Sequence, residues 1–188
     1  AMFREITGFS NPLVKRVRSL REKKGRREEG LFLAEGLRIL TEALDAGRAP
    51  EMLWFSSESA RHPLVETLVA ATEAHGGEVF VTPRDILSKI SGKDNPGAVI
   101  GIYPEHWTPL ADIDRSTAPI WMVAERLRDP GNLGTILRTG DAVGAGGLIL
   151  IDDCTDPFSV EAVRASMGAL FTQSISKASW PEFIAWLR

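Results

Sequence analysis

Cysteine is nearly missing from this chain. Cys154 is the only one, so no disulfide can close within it, and a reducing compartment such as the cytoplasm is the expected setting. Placed where a strand runs into a loop, Cys154 reads as packing and not as a nucleophile. Histidine is scarce as well: His62, His75 and His106 are scattered without ligand spacing, and no metal site is expected. No apolar run approaches the roughly 18 residues that span a bilayer. The opening AMFREITGF holds no apolar core of the kind a secretory leader carries, so no membrane partner is expected. A phosphate-binding P-loop and a GxSxG nucleophile elbow are both missing. The glycines at Gly144, Gly146 and Gly147 follow a helical stretch and precede a strand. A dinucleotide-binding loop needs the opposite order, so these glycines read as a helix end and turn. No internal repeat or low-complexity tract is present.

What is present is ordinary for a soluble globular protein: 44% hydrophobic and 25% charged residues, in a length suited to one large or two small domains. The formal net charge of −3 conceals an asymmetry. Residues 1–30 hold nine basic side chains (Arg4, Lys15, Arg16, Arg18, Arg21, Lys23, Lys24, Arg26, Arg27) against four acidic ones, while the remainder carries a net −8. A basic terminus on an acidic body suits a polyanion-binding arm.

The local patterns are those of an α/β protein. Ser10 and Asn11 can cap a helix that has Pro12 in its first turn, with Leu13, Val17 and Leu20 on one face and Lys15, Arg16, Arg18 and Arg21 on the rest. KKGRREEG is expected to break that helix at Gly25 or shortly after. Its basic side chains are either a solvated face or contacts to a phosphate backbone, which an arginine-rich surface neutralises with little sequence preference. Strands are expected at Leu31–Ala34, Met52–Phe55, Val79–Val81 and Ala98–Tyr103. Helices between them run through Leu37–Leu44, His62–Ala74 and Pro83–Ile90, and 91–97 is a polar loop of turn formers. Residues 30–103 thus form a compact layered α/β domain. Residues 104–118, with Pro104 and Pro109 and little periodicity, read as a linker. A second α/β unit begins at Pro119, with a strand at Leu148–Ile151, a helix over 158–170, a short strand over Thr172–Ser176 and a last helix from Pro181.

The most informative segment is 119–147, PIWMVAERLRDPGNLGTILRTGDAVGAGG. The apolar run Ile120–Ala124 reads as a buried strand, Asp129-Pro130-Gly131-Asn132 as a turn, and Leu133, Ile136, Leu137 and Gly140 as the core face of a helix. Asn132 stands where an N-cap is expected. Thr135 and Arg138 then lie on one row turned away from the core. An amide, a hydroxyl and a guanidinium beside a helix N-terminus make a ready anion-binding end. An ordinary strand–turn–helix connection with Arg138 solvated at the surface is the alternative that spacing leaves open.

AERLRDPGNLGTILRTGDAVG resembles the first signature motif of the SpoU/TrmH-type 2′-O-ribose RNA methyltransferases of the SPOUT class. Asn132, Gly134 and Arg138 fall together in that family's N-x-G-x-x-x-R spacing. DPFSVEAVRASMGALF resembles the segment that follows it, and NPLVKRVRSL and FLAEGLRILTEAL resemble the family's small N-terminal RNA-binding domain. The likeness runs over nearly the whole chain. It implies an N-terminal RNA substrate-binding domain over residues 1–103 with the basic helix, a linker over 104–118, and the first part of a SPOUT-type (α/β knot) methyltransferase domain over 119–188. It also implies transfer of a methyl group from S-adenosylmethionine to a ribose 2′-hydroxyl of rRNA or tRNA, and a homodimer formed through the methyltransferase domain. By the same resemblance Arg138 is the catalytic residue, Asn132 shapes the ribose site, and Glu125 at the strand end matches the motif. A guanidinium stays protonated to above about pH 12, which favours Arg138 as a clamp on ribose and phosphate over a general base.

The RNA contacts expected are Lys15, Arg16, Arg18, Arg21, Lys23, Lys24, Arg26, Arg27 and Thr135. The family's two further motifs, a Pro-Glu-Gly loop and a Ser-Leu-Asn segment, are not found up to Arg188. The cofactor-binding residues are therefore unassigned, and the 188 residues alone are expected to be inactive and to bind cofactor weakly or not at all. The competing reading is a non-catalytic RNA-binding protein with a degenerate methyltransferase domain.

Overall fold

The computed structural model describes residues 3–93, 97 and 99–188. Asp94, Asn95, Pro96 and Ala98, which belong to the expected polar loop and fourth-strand start, lie outside the described residues. The chain divides into two compact units, Ala1–Glu105 and His106–Arg188. Both are α/β, as the residue patterns require.

In the first unit a mixed sheet has the order β1 (Arg4–Glu5), β4 (Glu78–Val81), β3 (Met52–Phe55), β5 (Val99–Pro104), β2 (Leu31–Glu35). Strand β4 runs parallel to both β1 and β3, whereas β5 runs antiparallel to both β3 and β2. All four residues of β3 are buried, which is why Met-Leu-Trp-Phe shows no polar alternation. Trp54 stacks on Phe80 with ring centroids 4.5 Å apart, and Phe32 stacks on Tyr103 at 5.8 Å. The helices of this unit are α1 (Pro12–Arg18), α2 (Lys23–Glu29), α3 (Leu37–Asp45), α4 (Pro63–Ala74) and α5 (Arg84–Ser91).

The Asn11 side chain accepts from the Leu13 N–H, so α1 starts where its capping signal indicates. Its end differs from expectation. The helix stops at Arg18, a single 3-10 turn spans Ser19–Arg21, and the extended Glu22 opens α2. Gly25 therefore sits inside a helix and breaks nothing. It is there because α2 presses on the preceding turn: a Cβ at Gly25 would lie 2.1 Å from the Ser19 carbonyl oxygen. Gly30, with φ of 66°, is the residue that ends α2.

The second unit holds a parallel sheet of order β6 (Met122–Glu125), β7 (Gly147–Ile151), β8 (Ser174–Ala178). Strand β7 is central and fully buried. Strand β6 is not the buried strand expected. It pairs with β7 alone among the described residues, and Val123 within it and Ile120 just before it are 45% and 43% exposed. Helix α6 (Pro130–Ala142) packs on α7 (Val160–Ser166), and α7 ends earlier than its sequence suggests because Met167 and Gly168 turn left-handed. Helix α8 (Trp180–Leu187) starts from a Ser179/Glu182 capping box. Its Phe183 joins Ile149, Ile151 and Ala178, and Leu110, Ile113, Ile184 and Trp186 pack against that cluster. The stretch 104–118 is thus no free linker from His106 onward. The Arg115 guanidinium lies 4.1 Å from the Trp186 ring centroid and donates to the Trp186 and Leu187 carbonyls. No helix among the described residues is long and apolar enough to cross a membrane.

In an open helix interior Gly→Ala stabilises by about 1 kcal/mol. At Gly25 the Ser19 carbonyl reverses the sign, and Gly25→Ala is expected to lower stability by roughly 1–3 kcal/mol. A urea midpoint that rises on this substitution would mean that α2 does not press on the Ser19 turn.

Candidate functional site

Glu125 ends β6, Asn132 lies in the first turn of α6, the helix that follows it, and Arg138 is six residues further along that helix; ligands of parallel α/β sheets bind at the carboxyl ends of the strands. Strands β6 and β7 each end in a sharp bend. Arg126 directly after β6 has φ of 52°, and Asp152 directly after β7 has φ of 61°, both in the left-handed region that non-glycine residues avoid. The surrounding hydrogen bonds hold them there: the Arg126 N–H donates to the Ile151 carbonyl (3.1 Å) and the Asp152 N–H to the Ala178 carbonyl (2.9 Å). The two loops that follow are tied together. The Thr155 N–H donates to the Leu127 carbonyl at 2.7 Å, and Arg128 pairs with Asp153 at 3.0 Å, both side chains largely exposed. The Cys154 thiol, half-buried, is turned onto the Ile151 and Ala124 carbonyls, which is the packing role its position suggests.

From this loop α6 departs, and here the structure corrects the sequence reading. The cap is Asp129, not Asn132. The Asp129 carboxylate accepts from the Gly131 and Asn132 N–H groups at 3.4 and 3.3 Å, and Pro130 fills the first helical position. The helix end is therefore already occupied by a negative charge, which works against a bound phosphate there. Asn132 instead stands in the first turn with its amide exposed. The Thr135 hydroxyl donates to the Gly131 carbonyl at 3.0 Å, so its proton is spent inside the helix. Arg138 is exposed and makes no hydrogen bond or ion pair among the described residues. Asn132, Thr135 and Arg138 form a slanted stripe rising roughly 9 Å along α6, at 1.5 Å per residue. Side chains of a helix lean toward its N-terminus, which brings the guanidinium back toward Asn132. Glu125, last in β6, is exposed and unpaired among the described residues.

Two of the three glycines of α6, Gly134 and Gly140, explain how this stripe is held outward. A Cβ at Gly134 would lie 2.4 Å from the Ala165 Cβ and 2.7 Å from the Ser166 nitrogen, so α6 and α7 meet backbone to backbone. A Cβ at Gly140 would lie 2.1 Å from the Met122 methyl, so α6 rests on β6 there. With Leu133 and Leu137 buried on the same side, the opposite side of the helix can only face out.

The basic side chains expected to contact RNA are in the first unit, and they separate into three kinds. Arg26 is 4% exposed and donates to the Leu20 carbonyl at 3.0 Å. It is a pin between α2 and the preceding turn and is unavailable to a ligand, which corrects its assignment as an RNA contact. Arg16 is paired to Glu29 at 2.6 Å. Lys15, Arg18, Arg21, Lys23, Lys24 and Arg27 are exposed and unpaired among the described residues. Lys15, Arg18 and Arg21 line one cleft of about 380 Å³ with Ser19 and Glu22.

The second unit carries a polar stripe of Asn132, Thr135 and Arg138 on α6, and the first unit bears a basic face. Residues 119–188 match the SpoU rRNA methylase family, and residues 11–101 match the MRM3-like substrate binding domain. An S-adenosylmethionine-bound crystal structure of an rRNA methyltransferase from Sinorhizobium meliloti is 43% identical, with a TM-score of 0.91 over 99% of this chain and 69% of that one. The crystal structure of an RNA 2′-O ribose methyltransferase is 30% identical, with a TM-score of 0.73 over 97% of this chain and 69% of the other. An uncharacterized tRNA/rRNA methyltransferase from Synechocystis is 35% identical over 87% of this chain and 58% of its own length. The chain belongs to the SpoU rRNA methylase family, and it spans less than two thirds of that curated relative.

The close helix contact sets a rank order for two substitutions. Gly134→Ala is expected to destabilise by roughly 1–3 kcal/mol because backbone must move. Gly140→Ala should cost visibly less, since a flexible Met122 methyl can swing aside. Equal shifts in thermal unfolding would refute the backbone contact between α6 and α7.

Proposed function

We propose that the protein of which these residues are part is a cytoplasmic RNA 2′-O-ribose methyltransferase that uses S-adenosylmethionine, acts on rRNA or tRNA, and works as a homodimer through its methylase unit. The observation that carries this reading is Arg138: an exposed guanidinium without a partner among the described residues, on the helix that leaves the β6 strand end, six positions after an exposed asparagine amide. Family membership and the naming of a 30%-identical neighbour as a 2′-O ribose methyltransferase support it. The residues present suit a cationic methyl donor in one respect: Glu125 places a carboxylate, exposed and unpaired among the described residues, at the end of β6. When bound, S-adenosylmethionine supplies a methyl group on a sulfonium, which becomes a neutral thioether as the methyl leaves.

The contribution of this chain is then placement and charge. The Asn132 amide offers both a donor and an acceptor to a ribose hydroxyl and sets its direction. Arg138 holds the ribose and its phosphate and offsets the negative charge that grows on the 2′-oxygen as its proton passes to solvent. Positioning of this kind supplies much of the rate in a transfer between two bound groups. A permanently cationic guanidinium fits a clamp and not a proton acceptor.

In the full-length protein, Arg138→Ala is expected to reduce turnover by about a hundredfold or more, comparable to loss of one charge-stabilising donor, while RNA affinity changes only a few-fold. The measurement is single-turnover methylation beside filter binding on the same RNA. Unchanged turnover would remove Arg138 from the mechanism. Mapping ribose methylation on total RNA from cells with and without the gene checks the reaction itself. A lost base methylation with every ribose mark intact would overturn the 2′-O reading.

A further inference from the structure

Beside the basic cleft of the first unit lies an aromatic that the fold does not use. Phe9, in the segment between β1 and α1, is 47% exposed. The Lys89 ammonium sits 5.9 Å from its ring centroid. Together they line a cleft of about 320 Å³ with Asp85 and Ser88 of α5 and Gly92 and Lys93 just past its end. Helix α5 packs on α1, the helix that carries Lys15 and Arg18. The two clefts touch through one residue. Arg21 lines the basic cleft, and its guanidinium lies so close over Gly92 that a Cβ there would be 2.3 Å from its Nη2. Gly92 ends α5 with φ of 75°, so both its backbone and the nearby guanidinium exclude a side chain.

The outcome is a strip with cations along one end, Lys15, Arg18 and Arg21, and a half-bare ring flanked by Lys89 at the other. Lys93 is partly engaged, 3.6 Å from the Glu35 carboxylate. Cations alone would follow any phosphate backbone. A flat apolar ring next to them adds a surface on which an unpaired base can stack, which a base-paired helix does not offer. Asp85 supplies a carboxylate at the edge of the same cleft, able to accept from base amino groups.

We infer that this strip binds an unpaired segment of RNA, with phosphates along Lys15, Arg18 and Arg21 and one base stacked on Phe9. The inference rests on the RNA reading above and narrows its substrate to sites flanked by single-stranded nucleotides. Phe9 is a binding residue for that segment and is distant in role from the methyl transfer, which belongs to the other unit.

The test uses the full-length protein and two labelled probes, a 12-nucleotide mixed-sequence RNA and the same RNA annealed to its complement. Phe9→Ala is expected to weaken the single strand about tenfold, within the range for one lost base stack, and to leave the duplex within twofold. Phe9→Trp should retain single-strand affinity. Arg21→Gln should weaken both probes and lower the salt dependence by about 0.7 in the log–log slope for the single strand. Phe9→Ala with no effect on the single strand, or with equal loss on both probes, overturns the stacking proposal while leaving the RNA reading standing. Wild-type protein that binds neither probe overturns the RNA reading and this inference with it.

Discussion

The meeting of α6 and α7 at Gly134 is the constraint from which the second unit follows. Two helices whose backbones touch cannot rotate about their axes without collision, and a second close point at Gly140 fixes α6 against β6. That leaves one orientation for the polar stripe. In the motif N-x-G-x-x-x-R the glycine has no chemistry of its own. It lets the helix lie deep enough for the asparagine and arginine to be presented from a rigid element, which is what a positioning site requires.

Strand ends provide the second constraint. Two consecutive parallel strands close with a left-handed residue, and the loops after them are pinned to each other by a main-chain hydrogen bond and the Arg128–Asp153 pair. An exposed pair of this kind adds little to stability. Its effect is geometric: it holds the loop that delivers Asp129 to the start of α6. The strain at Arg126 and Asp152 is sustained by neighbours and concentrated at the candidate site, where such strain commonly gathers.

Much of this was legible in the residues. Buried strands of four to six apolar residues, helices with a three-to-four period and the Asn11-Pro12 start are local signals, and each appears in the structure. The readings that differed depend on information a local pattern lacks. Asn132 looked like a cap because it precedes the apolar period, yet Pro130 in first position already pointed to Asp129. Gly25 looked like a breaker because glycine usually is one, and only the nearness of the Ser19 carbonyl shows that it is a contact. Ile120–Ala124 looked buried because apolar runs usually are, but edge position is decided by the order of strands. Residues 106–118 lack periodicity because their apolar side chains pack singly, Leu110 and Ile113 on the cluster with Phe183 and Trp107 against Phe158. In the second unit the motif names Arg138 and Asn132, whereas the Arg128–Asp153 pair there, and in the first unit Phe9 joined to Arg21 through Gly92, required the fold.

The buried Arg26 bears on how the basic face behaves as a surface. A charged helix anchored through its own guanidinium to the turn beneath it does not wait for a polyanion before taking shape. Its neighbours Lys23, Lys24 and Arg27 are spaced in advance, so under the proposed RNA reading little chain entropy would be surrendered when a nucleic acid settled on them. Association of a polyanion with such a face would then be governed by displaced counterions, with a small heat-capacity signature of coupled folding.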